Sequence, residues 1–404
     1  MRVCYAYVYD VFRASLIIPP LCLGHILFMT NRQVHERDLN TDFLLVLLVR
    51  LLRVAPTLRV TLMSATLDAK LFADYFRHAL HGQVPVPTLQ ISGRAFPVRE
   101  VFLEDVVKNF NLAGCPVPRR RAQVRRPRSR HNGTPNAERD EDDPELSKQL
   151  LQQAARQSRV SALLGPHFEE ERLSPHAIAA AVVWICRTDP LGRTDGRSTD
   201  GAVLVFLPGT EDIREVQRAL QEPPLSYALG HAMVVPLHGS LSINEQQRAF
   251  AAPPKGTRKV VLATNVAESS VTIDDVVYVV NSGKLKEKRH EESTGISSLL
   301  TTWASSANNK QRRGRAGRVR EGFCVNLFLR SRAQRLRAFQ LPEMRRVPLE
   351  ELCLTIKRLQ LGRVLPVLQE ALEPPNIEAI SASIRTLTDM GALDDDENLT
   401  ALVR

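Results

Sequence analysis

The sequence predicts an α/β protein built on open, mostly parallel sheets, followed by a smaller helical module. Three observations carry this. Apolar runs of strand length alternate with amphipathic helical stretches along two separate parts of the chain. Several of those runs, such as "AVLVFLPG" and "RKVVLATN", are apolar throughout, as strands covered on both faces are. Hydroxyl, amide and glycine residues follow the runs directly, where ligands collect at strand carboxyl ends.

Taken in order, "TDFLLVLLVRLLRVAP" has helical spacing, with Thr41 as the expected cap and Pro56 just past the end. "LRVTLMSAT" reads as a buried strand running into Ser64, Ala65 and Thr66, and "LDAKLFADYF" as the next helix. The pattern breaks over 112–146. Seven arginines fall between Arg119 and Arg130, and six carboxylates follow in "AERDEDDPE". Low hydrophobicity and segregated charge predict a disordered linker, which either contacts RNA or is simply solvated. Order returns with the helix "HAIAAAVVWICR". Strand "AVLVFLPG", helix "TEDIREVQRAL", strand "AMVVPLHG", helix "INEQQRAF" and strands "RKVVLATN" and "DVVYVVNSG" then follow. From Pro348 the pattern turns helical, in "PLEELCLTIKRLQL" and "NIEAISASIRTLTDMGAL".

The 404 residues suffice for two or three domains, and a formal charge of +10 invites a polyanionic partner. Much of that charge sits in the linker, so it says less about the folded parts. The six cysteines have no CxxC spacing, which argues for reduced thiols over a disulfide frame or a zinc site. The apolar N-terminal "ASLIIPPLCLGHILFM" is interrupted by Pro19-Pro20 and falls short of the ~20 residues of a membrane span. These features favour a soluble intracellular protein, cytoplasmic or nuclear, with no membrane partner.

"QRRGRAGR", Gln311 to Arg318, is the most specific signal. Arg312, Arg315 and Arg318 recur three apart and would share a face on a helix. Planar guanidiniums bind phosphate oxygens and stabilise charge in phosphoryl transfer, although a generic basic RNA-binding stretch looks similar. In "VLATNVAESSVTIDD", Thr264 and Asn265 offer donors at a strand tip that suit a nucleic-acid backbone, while capping and turn chemistry is the plainer alternative. "SAT" alone reads more simply as a helix cap.

In this order the segments resemble the DEAH/RNA-helicase-A group of superfamily 2 RNA helicases. "VHERDLNTDFLL" resembles the tail of motif II, and "LMSATLDAKLFADYF" resembles motif III. "VLVFLPGTEDI" is similar to motif IV, "VVLATNVAESSVTIDDVVYVVNSGKLKEKRH" to motif V, and "ANNKQRRGRAGRVREGFCVNLF" to motif VI. "LPEMRRVPLEELCLTIKRLQLG" looks like the entrance to a winged helix. The resemblance implies part of a first RecA-like domain over 34–111 and the charged linker over 112–165. A complete second RecA-like domain with a β-hairpin is expected over 166–346, and a truncated winged-helix start over 347–404. It places Thr264 and Asn265 at the RNA backbone, and Gly209, Thr210 and His238 in the strand-end loops that face RNA. Asp274 falls near the nucleotide ribose, and Gln311, Arg315 and Arg318 at the β- and γ-phosphates, with the two arginines as fingers. Ser64, Ala65 and Thr66 would couple the domains. Single-stranded RNA as partner, a monomeric state, and ATP with Mg²⁺ as family cofactors follow from the same resemblance.

Departures qualify it. The motif II Asp that holds Mg²⁺ aligns with Arg32, and the Glu that activates water aligns with Gln33; of the tetrad's polar residues His35 remains. No GxxxxGK[ST] phosphate loop occurs in these residues. Residues 1–33 are therefore expected to be foreign to the family, from an alternative start, a splice product or a gene-model error. The chain is expected to be trimmed at both ends and not to bind ATP and Mg²⁺ productively. Three readings stay open: a partial ATP-dependent RNA helicase that unwinds 3′ to 5′ in its full form, a non-hydrolysing RNA-binding or regulatory module, and a fragment unable to fold.

Overall fold

The computed structural model describes residues 26–27, 37–55, 59–60, 62, 69–82, 86–89, 96–109, 174–192, 201–269, 272–291 and 296–403. The chain divides into two compact units. One comprises Met1–Ser92, Glu287–Leu300 and Gln340–Arg404, and the other Gly93–Lys286 and Thr301–Phe339. The expected linker, His35, and the Ser64–Ala65–Thr66 turn lie outside the described residues.

In the first unit, β1 (Ile26–Leu27) pairs in parallel with β2 (Arg59–Val60). Helix α1 (Leu39–Val54) is capped by Asp38, which accepts the Thr41 N–H at 3.0 Å and also the Thr41 hydroxyl. Thr41 is thus the residue being capped, and the expected cap moves to Asp38, whose extended backbone and carboxylate suit that position better. The helix buries two stripes. Leu45, Leu48 and Val49 meet Phe72, Phe76 and Leu80 at α2 (Ala69–Ala79). Phe43, Val46 and Leu47, one position round, enter a different core described below.

The second unit is a six-stranded sheet, ordered β3 (Val98–Phe102), β10 (Gly322–Asn326), β7 (Val276–Asn281), β4 (Ala202–Phe206), β6 (Arg258–Ala263) and β5 (Ala232–Leu237). Every pairing is parallel. The two-residue period of a strand divides its side chains between two cores. Val203 and Val205 of β4 join Ile178 and Ile185 of α3 (Pro175–Thr188) and Ile213 and Val216 of α4 (Thr210–Gln221). Ala202, Leu204 and Phe206 face the other way, with Val235, Leu237, Val261 and Ala316. A sheet covered on both faces explains why its strands read as unbroken apolar runs. The edge strand β5 is blunted. Arg258 and Thr264 donate to the carbonyls of His231 and Leu237, so odd-numbered residues face β6 and Pro236 faces outward without an N–H.

Residues 98–102 form β3 and pair with β10, because "PVREVF" has a vacant parallel edge to join. β8 (Lys284–Glu291) and β9 (Ile296–Trp303) form the expected two-stranded hairpin. Helix α5 (Ser306–Gly314) follows, capped by Ser305.

The C-terminal residues return to the first unit as α6 (Glu350–Arg358), α7 (Val364–Gln369) and α8 (Ile377–Asp389), closed by an antiparallel bridge between Leu393 and Leu399. Their core of Leu352, Ile356, Val367, Leu368 and Ile380 takes in Phe43, Val46 and Leu47 of α1. Arg50 binds both Glu370 oxygens, at 3.0 and 2.9 Å, and the Leu361 carbonyl at 2.9 Å. Arg37 holds Asp42 at 2.8 Å and Glu373 at 2.6 Å. The helical module and α1 therefore share one core, which sequence adjacency does not suggest.

Candidate functional site

Because all six strands run in parallel, their carboxyl ends lie along one edge. Backbone bonds stitch the segments leaving that edge: Leu207 N–H to Ala263 O at 2.8 Å, Thr264 N–H to Leu237 O at 3.1 Å, and Ser282 N–H to Phe206 O at 3.2 Å. Adjacent strands β4, β6 and β5 thus present, side by side, Gly209 and Thr210, then Thr264 and Asn265, then His238. All five residues expected at RNA share this edge. Asn265 is exposed and Thr264 is half-buried.

Gly209 caps α4 with an extended backbone. A Cβ at Gly209 would meet the Lys286 ammonium at 2.6 Å, so the glycine admits that cation against the helix start. The His238 ring bonds Ser240 through Nδ1 at 2.8 Å. Partial burial, and then Arg214, hold His238 below its ordinary value, with Glu245 acting in the opposite sense. Neutral at physiological pH, the ring offers a hydrogen bond and no charge.

The phosphate-directed candidates occupy α5 and the turn after it. Arg312 does not share their face, contrary to the helical expectation, because α5 ends at Gly314 and Arg315 is its C-cap. Arg312 is wholly buried over the Phe206 ring, 5.1 Å from its centroid. It donates to Glu268 at 2.9 Å, to Asn281 at 3.1 Å and to the Lys284 carbonyl at 3.0 Å. All of these partners are internal to the fold.

Arg315 and Arg318 are different. Burial, followed by repulsion from Arg318, pushes the Arg315 guanidinium down to about 10, with Glu268 opposing. Burial also lowers Arg318, while Asp274 raises it. Arg318 donates to the Thr272 hydroxyl, and Asp274 is exposed beside this pair. Gln311 is half-buried on the last turn of α5. Two partly desolvated cations held close together favour an incoming polyanion such as phosphate, since it offsets both desolvation and mutual repulsion. Asp275, in contrast, is engaged with the buried Lys259 at 3.0 Å and serves the fold.

Sequence reasoning missed Glu268 and the asparagines around it. Glu268 accepts from Asn308 and Arg312, and Asn281 donates to Asn309 at 2.7 Å and to Asn326 at 2.9 Å. Asn326 in turn donates to Glu100 at 2.8 Å, which receives Arg313 at 3.0 Å. In "NVAES" and "SANNK" such residues read as ordinary helix-start chemistry. Among the described residues no cluster of His, Cys, Asp or Glu could hold a metal ion, and no helix is long and apolar enough to cross a membrane.

Residues 189–320 match the family described as Helicase conserved C-terminal domain. The chain is 40% identical to mouse "Putative ATP-dependent RNA helicase DHX57", over 92% of this chain and 28% of the relative. It is 37% identical to bovine "ATP-dependent DNA/RNA helicase DHX36", over 92% of this chain and 35% of the relative. Among solved structures, Escherichia coli DExH-box NTPase HrpB superposes with a TM-score of 0.66 at 26% identity, covering 98% of this chain and 38% of that one. The chain thus spans about a third of the length of these relatives.

Proposed function

We propose that this chain, which belongs to the DEAH/RNA-helicase-A group of superfamily 2 RNA helicases, works as an RNA-binding helicase module. It engages single-stranded RNA, as a monomer, along the carboxyl edge of its second-unit sheet. The observation that carries this is the alignment of Gly209, Thr210, His238, Thr264 and Asn265 on three adjacent parallel strands. Short hydroxyl, amide and imidazole donors spaced along one edge suit successive phosphates and sugar hydroxyls. Gln311, Arg315 and Arg318 would hold the β- and γ-phosphates of ATP, with Asp274 at the ribose. ATP, when bound, would supply a transferable phosphoryl group, and these residues would neutralise the charge that develops on it wherever the missing catalytic groups are provided.

The same proposal denies hydrolysis to these residues on their own. By the family resemblance Arg32 stands in place of the Asp that holds Mg²⁺, and Gln33 in place of the Glu that activates water, and a Gln amide cannot take a proton from water. The whole relatives' coupling of ATP to unwinding would then require groups these residues do not supply. Fluorescence anisotropy with labelled single-stranded RNA tests the first claim across a salt series. Deleting 118–130 should lower affinity and flatten the salt slope, and Thr264→Ala should weaken binding further in that deletion. Loss of all binding on the deletion alone would refute the edge as an RNA site. Phosphate release stimulated by RNA, above that of an Arg315→Ala, Arg318→Ala control, would refute the second claim.

A further inference from the structure

The RNA-facing edge and the arginine pair are joined by one buried ion pair. Glu268 lies on the short helix Val266–Ser269 that starts immediately after Thr264 and Asn265. Its N–H donates to the Asn265 carbonyl at 2.8 Å, and the Ala267 N–H donates to the Thr264 carbonyl at 3.2 Å. The Glu268 carboxylate, almost wholly buried, accepts Asn308 on one oxygen and Arg312 on the other. Both partners belong to α5, and the Arg315 N–H closes that helix on the Arg312 carbonyl at 3.1 Å. The path from Asn265 to Arg315 is therefore a single turn of helix, one carboxylate and one guanidinium.

A buried ion pair is weak evidence of stabilisation, because desolvation offsets its attraction, and an apolar pair of similar volume often serves stability as well. Its geometry is informative. Glu268 is gripped at both oxygens, and Arg312 is held at three acceptors and over Phe206. These bonds connect the Thr264–Asn265 backbone to α5 through buried groups at each step. Glu268 also acts directly on the Arg315 guanidinium through space.

We propose that Glu268 is a positioning residue: through Arg312 it ties RNA occupancy at Thr264 and Asn265 to the order of the 311–318 segment that carries Gln311, Arg315 and Arg318. This rests on the RNA-binding reading above and adds its regulation. The opposite flank of α5 supplies a control, since Arg313 pairs with Glu100 at 3.0 Å and Glu100 comes from the edge strand β3, remote in sheet order from the Thr264 strand tip.

Amide hydrogen exchange on the full chain, with and without saturating single-stranded RNA, tests this. In the wild type, RNA should slow exchange within 311–318 by about fivefold or more, the lower range of ordinary coupling between sites. Glu268→Gln keeps the shape and one acceptor for Arg312 but removes the charge. It should still bind RNA while losing most of that slowing. Glu100→Gln should keep it, even if it destabilises α5, so general loosening of the helix is separated from loss of coupling. RNA bound by the wild type with no change in 311–318 would overturn the proposal, as would an undiminished response in Glu268→Gln. Failure of the wild type to bind RNA at all would instead overturn the RNA-binding reading on which it rests. Should Glu268→Gln not fold, Glu268→Asp takes its place: it keeps the charge but shortens the reach to Arg312, so it should bind RNA with most of the slowing lost, and an undiminished response there would overturn the proposal.

Discussion

Two arginines three residues apart in "QRRGRAGR" should respond very differently to truncation. Arg312→Met removes three donated bonds, to Glu268, Asn281 and the Lys284 carbonyl, and leaves the Glu268 carboxylate buried with Asn308 as its remaining side-chain partner. Removing one member of a buried pair costs about 3–5 kcal/mol, and methionine recovers only the packing over Phe206. Arg315→Met works against a different background. A guanidinium brought from 12.5 to about 10 carries a penalty on its charged form of roughly 3 kcal/mol. Loss of its contacts and of attraction to Glu268 offsets much of that relief, so the net change should stay within ~1 kcal/mol, in either direction. Urea unfolding followed by tryptophan fluorescence isolates the effect, because Trp184 and Trp303, the two tryptophans of the chain, both lie in the second unit. Adding Glu268→Gln to Arg312→Met should restore about 1–3 kcal/mol, since the stranded charge is gone. Arg312→Met unfolding at the wild-type midpoint, or Arg315→Met costing as much as Arg312→Met, would refute this division into structural and phosphate-directed arginines.

Two further outcomes follow from local geometry. Gly317→Ala would bring a Cβ to 2.5 Å from the Phe96 carbonyl oxygen and 2.7 Å from Val98, and it threatens the Phe96 N–H bond to Gly317 O at 2.8 Å. It should cost about 2–4 kcal/mol by overpacking and a lost bond, and limited proteolysis should then cleave near residues 96–98 before the rest of the second unit. His238 is neutral above its lowered value and gains a proton as pH falls through it. RNA affinity should therefore rise as pH falls through that lowered value, below the ordinary 6.5, by up to about fivefold once the ring is charged, the worth of one added charge about 4 Å from a phosphate in water, and His238→Ala should abolish that rise. An identical pH profile in His238→Ala would exclude His238 from the edge.

The parallel sheet and the strand tip at Thr264 and Asn265 were legible because strand period and strand-tip chemistry are local, whereas Gly209, Thr210 and His238 came from the family resemblance alone. What depended on distant partners was not legible. Nothing in "PVREVF" shows that it pairs with a strand more than two hundred residues later. Nothing in α1 shows that Phe43 and Val46 share a core with Leu352 and Ile380. Arginine spacing suggested a common face for Arg312, Arg315 and Arg318, but the helix stops at Gly314 and burial under Glu268 takes Arg312 out of the set. Glu268 itself was overlooked because a carboxylate at a helix start has an ordinary explanation, and its real partners are about forty residues away.

The central claim is that RNA lies along the carboxyl edge of the second-unit sheet. Ultraviolet crosslinking of single-stranded RNA to the full chain, with the crosslinked peptides mapped by mass spectrometry, tests it most directly. Crosslinks should fall on peptides containing 207–210, 238–240 and 264–265, and should persist after deletion of 118–130. Crosslinks confined to 118–130, and lost with that deletion, would contradict it.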